Sequence, residues 1–274
     1  MKSRLLGVVS GCVLAITATL SNASTLFTAN YDGIWEIDPS TGLGQNFTTI
    51  DAIALSYGDG YLFESDGNDI SRYNVSLGTW ASLSGRNANV IAYGDGVLYT
   101  NNSGSGNGII AIDAVTGTAS TLNGLNGVTA LAFGGNSLYA ANYSGIWEFD
   151  PTTGIGSQFS TITAVALSYG NGSLYVSDNN QISRYDIAMD TWTLLNGHNA
   201  DSIAYGDGVL YVNDSNSGNN ILAVDSESGS MSTLNSLPGV TALAYQATVI
   251  PIPPAAWLFA SGLLGLVGMA RRNE

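Results

Sequence analysis

The nine residues IAYGDGVLY occur at positions 91–99 and again, unchanged, at 203–211. The duplication reaches well beyond them. IWEIDPSTG at 34–42 returns as IWEFDPTTG at 146–154, and TLNGLNGVTALAF at 121–133 returns as TLNSLPGVTALAY at 233–245. Every offset is 112, so residues 24–133 and 136–245 are two copies of one half. Each half divides again. A Leu-aromatic pair begins at Leu26, Leu62, Leu98, Leu138, Leu174 and Leu210, with spacings of 36, 36, 40, 36 and 36. Six units of this length require a repeat architecture, because one such unit cannot bury its apolar face alone.

The content of a unit is all β. A short apolar run such as Ile91-Ala92-Tyr93 meets Gly94-Asp95-Gly96 and then Val97-Leu98-Tyr99. Asp-Gly between two apolar runs marks a tight hairpin, whose central residues need positive φ. A polar loop follows, then a strand like Ile34–Asp38, then a turn closed by Gly42, Gly78, Gly117, Gly154 or Gly229. Asp190 takes that place in the fifth unit, and Asp tolerates left-handed geometry better than most residues. A fourth run, such as Thr193-Leu194-Leu195, leads to the next unit. Four short strands per unit without helical periodicity predict a six-bladed β-propeller of four-stranded blades. An open solenoid of the same units is the alternative, disfavoured because it exposes sheet edges. The six innermost-strand candidates, LSY at 55–57 and 167–169, IAY at 91–93 and 203–205, LAF at 131–133 and LAY at 243–245, each carry Ala or Ser at the centre. The first unit begins on a second strand at Leu26-Phe27, and the chain of repeats ends on an innermost strand at 243–245, followed by Gln246 where five units have Gly. The last strand is therefore expected to complete the first blade, residues 240–245 beside 25–30.

The stretch YDIAMDTWTLLNG at 185–197 resembles the kelch repeat, and GDGVLYVNDSNSGNNILAVDSESG at 206–229 is similar to NHL-type and related bacterial propeller repeats. Both resemblances imply a propeller over about 24–246, although most units lack the kelch double glycine.

Both ends of the chain look like addresses. Lys2 and Arg4 precede an apolar run from Leu5 to Leu20, and Ser21-Asn22-Ala23 supplies small residues for cleavage after Ala23. That is the layout of a signal peptide over residues 1–23, and it predicts export. Val9-Ser10-Gly11-Cys12 also loosely fits a lipoprotein box, the less favoured reading of the same segment. Cys12 is the one cysteine, so cleavage after Ala23 leaves none and excludes disulfides, thiolate metal sites and cysteine nucleophiles together. Between Ser24 and Thr248 three arginines face 20 Asp and Glu residues, a formal charge of −17. Such a surface repels nucleic acid and anionic lipid, attracts cations or basic partners, and favours solubility.

Candidate chemistry is sparse. His198 is the only histidine, so any Ser-His-Asp arrangement must pass through it, and its setting in GHNADS reads as a loop between blades. It lies 112 residues after Arg86 in GRNANV. In a six-bladed ring that is half a turn, so the two are expected to face each other across a channel mouth and to offer an anion-binding pair, or to coincide without function. The long polar loops at 101–108 and 213–220 are also half a turn apart. Asn102, Asp214 and Asn216 with nearby carbonyls offer oxygen ligands to Ca²⁺, although ordinary Asx turns explain the same composition. No catalytic residue and no cofactor other than calcium is expected. Trp35, Trp80, Trp147 and Trp192 recur at strand positions and read as blade packing rather than as a sugar platform.

The tail after Tyr245 reads QATVIPIPPAAWLFASGLLGLVGMARRNE. Ala255–Ala270 carry no charge, and Arg271 and Arg272 close the segment with a positive inside end. Pro251-Ile252-Pro253-Pro254, the apolar segment and the basic end together resemble the PEP-CTERM sorting signal of Gram-negative bacteria, in its Val-Pro-Leu-Pro-Ala-like variant. That resemblance implies an exosortase-like membrane protease as partner, transient anchoring of residues 247–274 in the inner membrane, and delivery to the envelope or an extracellular matrix. A plain membrane anchor is the alternative. Two functions remain open: a non-enzymatic surface or matrix propeller that binds a polysaccharide or a surface protein, and a propeller hydrolase or lyase on extracellular polysaccharide. The second expects two carboxylates near the axis at glycosidase-like separation.

Overall fold

The structure, a computed structural model, describes residues 23–248 apart from 105–106 and 215–219. It contains six antiparallel four-stranded sheets and, among the described residues, no helix. The first blade contains β1 (Thr25–Asn30), β2 (Gly33–Ile37) and β3 (Gly44–Thr48). The second runs through β4 (Ala54–Gly58), β5 (Tyr61–Ser65), β6 (Ile70–Asn74) and β7 (Thr79–Ser84). The third has β8 (Ile91–Gly94), β9 (Val97–Asn101), β10 (Asn107–Asp113) and β11 (Ala119–Asn126). The fourth has β12 (Ala130–Gly134), β13 (Ser137–Asn142), β14 (Gly145–Phe149) and β15 (Gly156–Ser160). The fifth has β16 (Ala166–Gly170), β17 (Ser173–Ser177), β18 (Ile182–Asp186) and β19 (Thr191–Asn196). The sixth has β20 (Ile203–Gly206), β21 (Val209–Asn213), β22 (Ile221–Asp225) and β23 (Met231–Asn235), and β24 (Ala242–Gln246) remains. β24 joins the first blade beside β1, with Leu26 opposite Tyr245 and Ala29 opposite Ala242. The ring thus closes as the repeat order predicts, and both ends of the described chain lie in one sheet.

Local chemistry sets the strands. The hairpins between the first and second strands of a blade turn on Asp59-Gly60, Asp95-Gly96, Asn171-Gly172 and Asp207-Gly208, both residues at positive φ. That geometry matches the twist of the flanking strands. The fourth blade reverses the order with Gly135-Asn136. The outer strand pair of every blade carries a bulge beside an isoleucine, as at Ile34 and Ile146, which strengthens the local twist.

The core lies between blades. In all six interfaces an aromatic ring from the second strand of one blade stacks on an aromatic from the innermost strand of the next. Phe63 meets Tyr93 at 5.1 Å between centroids, Tyr175 meets Tyr205 at 5.3 Å, and Tyr211 meets Tyr245 at 5.4 Å. Phe27–Tyr57, Tyr99–Phe133 and Tyr139–Tyr169 complete the set. The small central residue of each innermost strand leaves room for the next strand, and two of them bond to it: Ser56 accepts from Tyr93 N–H at 2.9 Å, and Ser168 from Tyr205 N–H at 3.0 Å. Gly94 is required by close approach, since a Cβ there would sit 2.0 Å from the Phe133 ring.

The blade geometry separates two faces. The turn face carries the tight hairpins, the turns after each third strand, and both ends of the described chain, because Thr25 pairs with Gln246 where other blades have a hairpin. The loop face carries the links between second and third strands and the connections between blades.

Candidate functional site on the loop face

The innermost strands surround a central channel of about 260 Å³. Its loop-face mouth exposes Asn89 and Asp201, residues 112 apart. Asp201 is the one carboxylate among the described lining residues. Tyrosines line the channel toward the other mouth. Burial, reinforced by hydrogen bonding to Asp59, pushes Tyr93 up to about 12, and burial also raises Tyr57.

Arg86 and His198 lie in the connections that lead into β8 and β20, and neither is among the channel-lining residues. Arg86 is exposed and makes no ion pair among the described residues. His198 turns to its own blade, where Nε2 lies 3.2 Å from Asp214 Oδ1. Asp214 is in turn the duplicate of Asn102, so one half holds Arg86 with Asn102 and the other holds His198 with Asp214. Asn102 N–H bonds Gly108 O at 3.1 Å and Asp214 N–H bonds Asn220 O at 2.9 Å, which closes each long loop at its base. Asn216 lies outside the described residues. No group of three or more His, Cys, Asp or Glu side chains comes together among the described residues. Of the candidate oxygen ligands for calcium, Asp214 has one oxygen toward His198, and the loop carbonyls of 215–219 lie outside the described residues. The signal segment 1–22, Pro251–Pro254, Ala255–Ala270, Arg271 and Arg272 also lie outside the described residues, while Ala23 is exposed just before β1. No helix among the described residues is long and apolar enough to cross a membrane.

Two features escape a reading of the sequence. The first is a pair of clefts on the loop face, half a turn apart. One, about 160 Å³, lies between the third and fourth blades and is lined by Asn89, Asn102, Ser103, Gly127 and Tyr143. The other, about 380 Å³, lies between the sixth and first blades and is lined by Asp201, Asp214, Asn220, Gly239 and Tyr31. Most positions in one have a duplicate in the other: Asn89 and Asp201, Asn102 and Asp214, Gly127 and Gly239, with Tyr31 preceding Tyr143 by 112. Asn101 and Asn213 shape the walls: the Asn213 amide oxygen accepts from Asp201 and Ser202 N–H at 2.8 and 2.9 Å, and Asn101 does the same for Asn89 at 2.9 Å. The second feature is Glu64 in β5, which is 3 % exposed. Burial raises its carboxyl to about 7 against a hydrogen bond from Ser71 that opposes the shift, and Oε2 has no partner among the described residues. The duplicate of Glu64 is Val176, so the carboxyl replaces an apolar side chain between blades.

No protein-family model matches the chain, and none of the curated proteins matches it. Solved structures do. A chain of the nidogen/laminin complex is similar with a TM-score of 0.70 at 14% identity, over 81% of this chain and 98% of that one. TolB from Acinetobacter baumannii is similar with a TM-score of 0.66 at 14% identity, over 82% of this chain and 66% of TolB. The extracellular domain of BT4673 from B. thetaiotaomicron aligns with a TM-score of 0.52 at 14% identity, over 79% of this chain and 33% of that one. Identities this low carry the shape and not the activity, so the chain is a six-bladed β-propeller whose function must be argued from its own faces.

Proposed function

We propose that this is an exported, non-enzymatic propeller of the cell envelope or extracellular matrix, sorted through residues 247–274 by an exosortase-type protease. It displays its loop face to a polysaccharide or surface protein. The observation that carries the reading is the placement of Thr25 and Gln246 side by side on the turn face. Thr25 and Gln246, from which the two addresses continue, lie on the face opposite the long loops and the two clefts. The extracellular setting of BT4673 agrees with export.

Mass spectrometry of the protein produced in an exosortase-bearing host tests the sorting step. The mature chain is expected to begin at Ser24 and to lack Ala255–Ala270, and deletion of the exosortase should restore that segment. A mature chain that keeps the segment in the unmodified host would replace sorting with a permanent anchor.

A further inference from the structure

Tyr31 and Tyr143 are 79% and 81% exposed, the largest values among the exposed apolar and aromatic side chains. Exposure alone means little, but each ring packs on a glycine of a neighbouring connection. A Cβ on Gly239 would come within 2.4 Å of the Tyr31 ring, and one on Gly127 within 3.0 Å of the Tyr143 ring. Each tyrosine therefore rests against a bare glycine of the neighbouring connection, at φ +67 and +66, and that contact covers part of the ring and leaves the rest to solvent. Asn30 and Asn142 hold the base of each tyrosine loop, through N–H bonds from Asp32 and Ser144 at 3.0 and 2.9 Å. In the second and fifth blades the tyrosine position is taken by Gly67 and Asn179. The arrangement occurs only where a long polar loop stands opposite.

We infer that the two clefts are a pair of sugar-binding subsites for a neutral glycan chain. This rests on the proposed role as a binding protein of the envelope or matrix. The chemistry is specific to that ligand class. An exposed aromatic face matches the C–H face of a sugar ring, and packing of its other side on a glycine favours that presentation. Asn89, Asn102 and Ser103 beside Tyr143 donate and accept hydrogen bonds and carry no charge. Beside Tyr31 the counterparts of Asn89 and Asn102 are Asp201 and Asp214, whose carboxylates accept hydroxyl hydrogens in stronger, charge-assisted bonds, and the neutral Asn220 lies beside them. A domain of formal charge −17 with two carboxylates in one cleft repels an anionic polymer. Two subsites on one face let a single polymer or a meshwork engage both, which multiplies weak contacts into useful avidity.

The test is a glycan array of neutral and anionic oligosaccharides and polysaccharides, probed with the labelled full chain. Binding to neutral glycans is expected. Tyr31→Ala and Tyr143→Ala should each weaken it about tenfold, and the double variant should abolish it. Tyr31→Phe and Tyr143→Phe should keep most of it, since stacking and not the hydroxyl is invoked. Both rings are exposed, so an unchanged thermal melt separates binding loss from unfolding. Binding to no neutral glycan would overturn the assignment, as would alanine variants that bind unchanged. Binding only to anionic glycans, lost in the Arg86→Ala/His198→Ala double variant, would move the site to that pair. Retention of the double tyrosine variant in the extracellular matrix would leave the surface-protein reading standing and remove the clefts from it.

Discussion

The two halves of the ring share their strands and differ in what lies between and above them. Residues 70–80 and 182–192 run ISRYNVSLGTW and ISRYDIAMDTW, and they form superposable outer strands. Yet Glu64 in the first half corresponds to Val176 in the second, Gly78 to Asp190, and Arg86 with Asn102 to His198 with Asp214. Selection for closure constrains the stacked interfaces, because a ring tolerates little variation in the angle between blades. The loop face and isolated core positions answer to other demands.

If the interfaces are equivalent, the same deletion should cost the same in either half. Phe63→Ala and Tyr175→Ala each remove a fully buried ring from an interblade stack. Each is expected to lower stability by about 3–5 kcal/mol. Urea titration of both variants checks this, and a loss below about 1 kcal/mol in one half would break the equivalence.

Glu64 sharpens the contrast. Its value of about 7 lies above the ordinary 4.5, so the native chain holds the proton more tightly than the unfolded chain does. Its contribution is complete below the ordinary value and is lost as pH rises through about 7. Glu64→Val, which copies the second half, should therefore gain stability relative to the parent protein on going from pH 5 to pH 8. The upper bound on that relative gain is about 3 kcal/mol. Denaturation midpoints for both proteins across this range give the difference. A pH-independent offset would mean the carboxyl reaches water in the native state.

How much of this was legible without coordinates depends on range. The period, the recurring tight hairpins and the order of strands point to six blades and the closing strand, because these are short-range signals that return along the chain. The stacking of Tyr205 on Tyr175 is less visible, since an aromatic on an innermost strand and one on a second strand look independent along the chain. The clefts are further out of reach: Tyr31 and Gly239 meet only at the seam, across the closure of the ring. Positive φ at Gly42, Gly78 and Gly154 follows from the turn pattern, but the reason for glycine differs among them. At Gly154 a Cβ would lie 2.1 Å from Leu122 O of the neighbouring blade, whereas at Gly78 the nearest atom is the Tyr73 hydroxyl at 3.7 Å. That space is what permits Asp190, at φ 53, where its carboxylate accepts from the Tyr185 hydroxyl at 2.7 Å.

Substitution by aspartate should separate the two kinds of glycine. Gly78→Asp is expected to cost no more than about 1 kcal/mol, since its duplicate already carries the residue. Gly154→Asp must displace a backbone carbonyl as well as hold a left-handed turn, and should cost about 1–3 kcal/mol. Thermal melts of the two variants decide the matter, and equal losses would assign both glycines to turn geometry alone.

The smallest effect belongs to the loop face. His198 and Asp214 approach to 3.2 Å with side chains 23% and 11% exposed, so water still reaches the pair. A partly solvated pair of this kind contributes at most about 1 kcal/mol, and salt screens it. A double-mutant cycle with His198→Ala and Asp214→Asn should give a coupling below that value, falling further at high ionic strength. The first half provides the control, because Arg86→Ala and Asn102→Ala should show no coupling: Arg86 is exposed and makes no ion pair among the described residues. A coupling above about 2 kcal/mol, or one indifferent to salt, would make His198–Asp214 a clasp for the long loop of the sixth blade. The two halves would then differ in how their loops are held, and the larger cleft beside Tyr31 would owe its shape to that clasp rather than to its carboxylates.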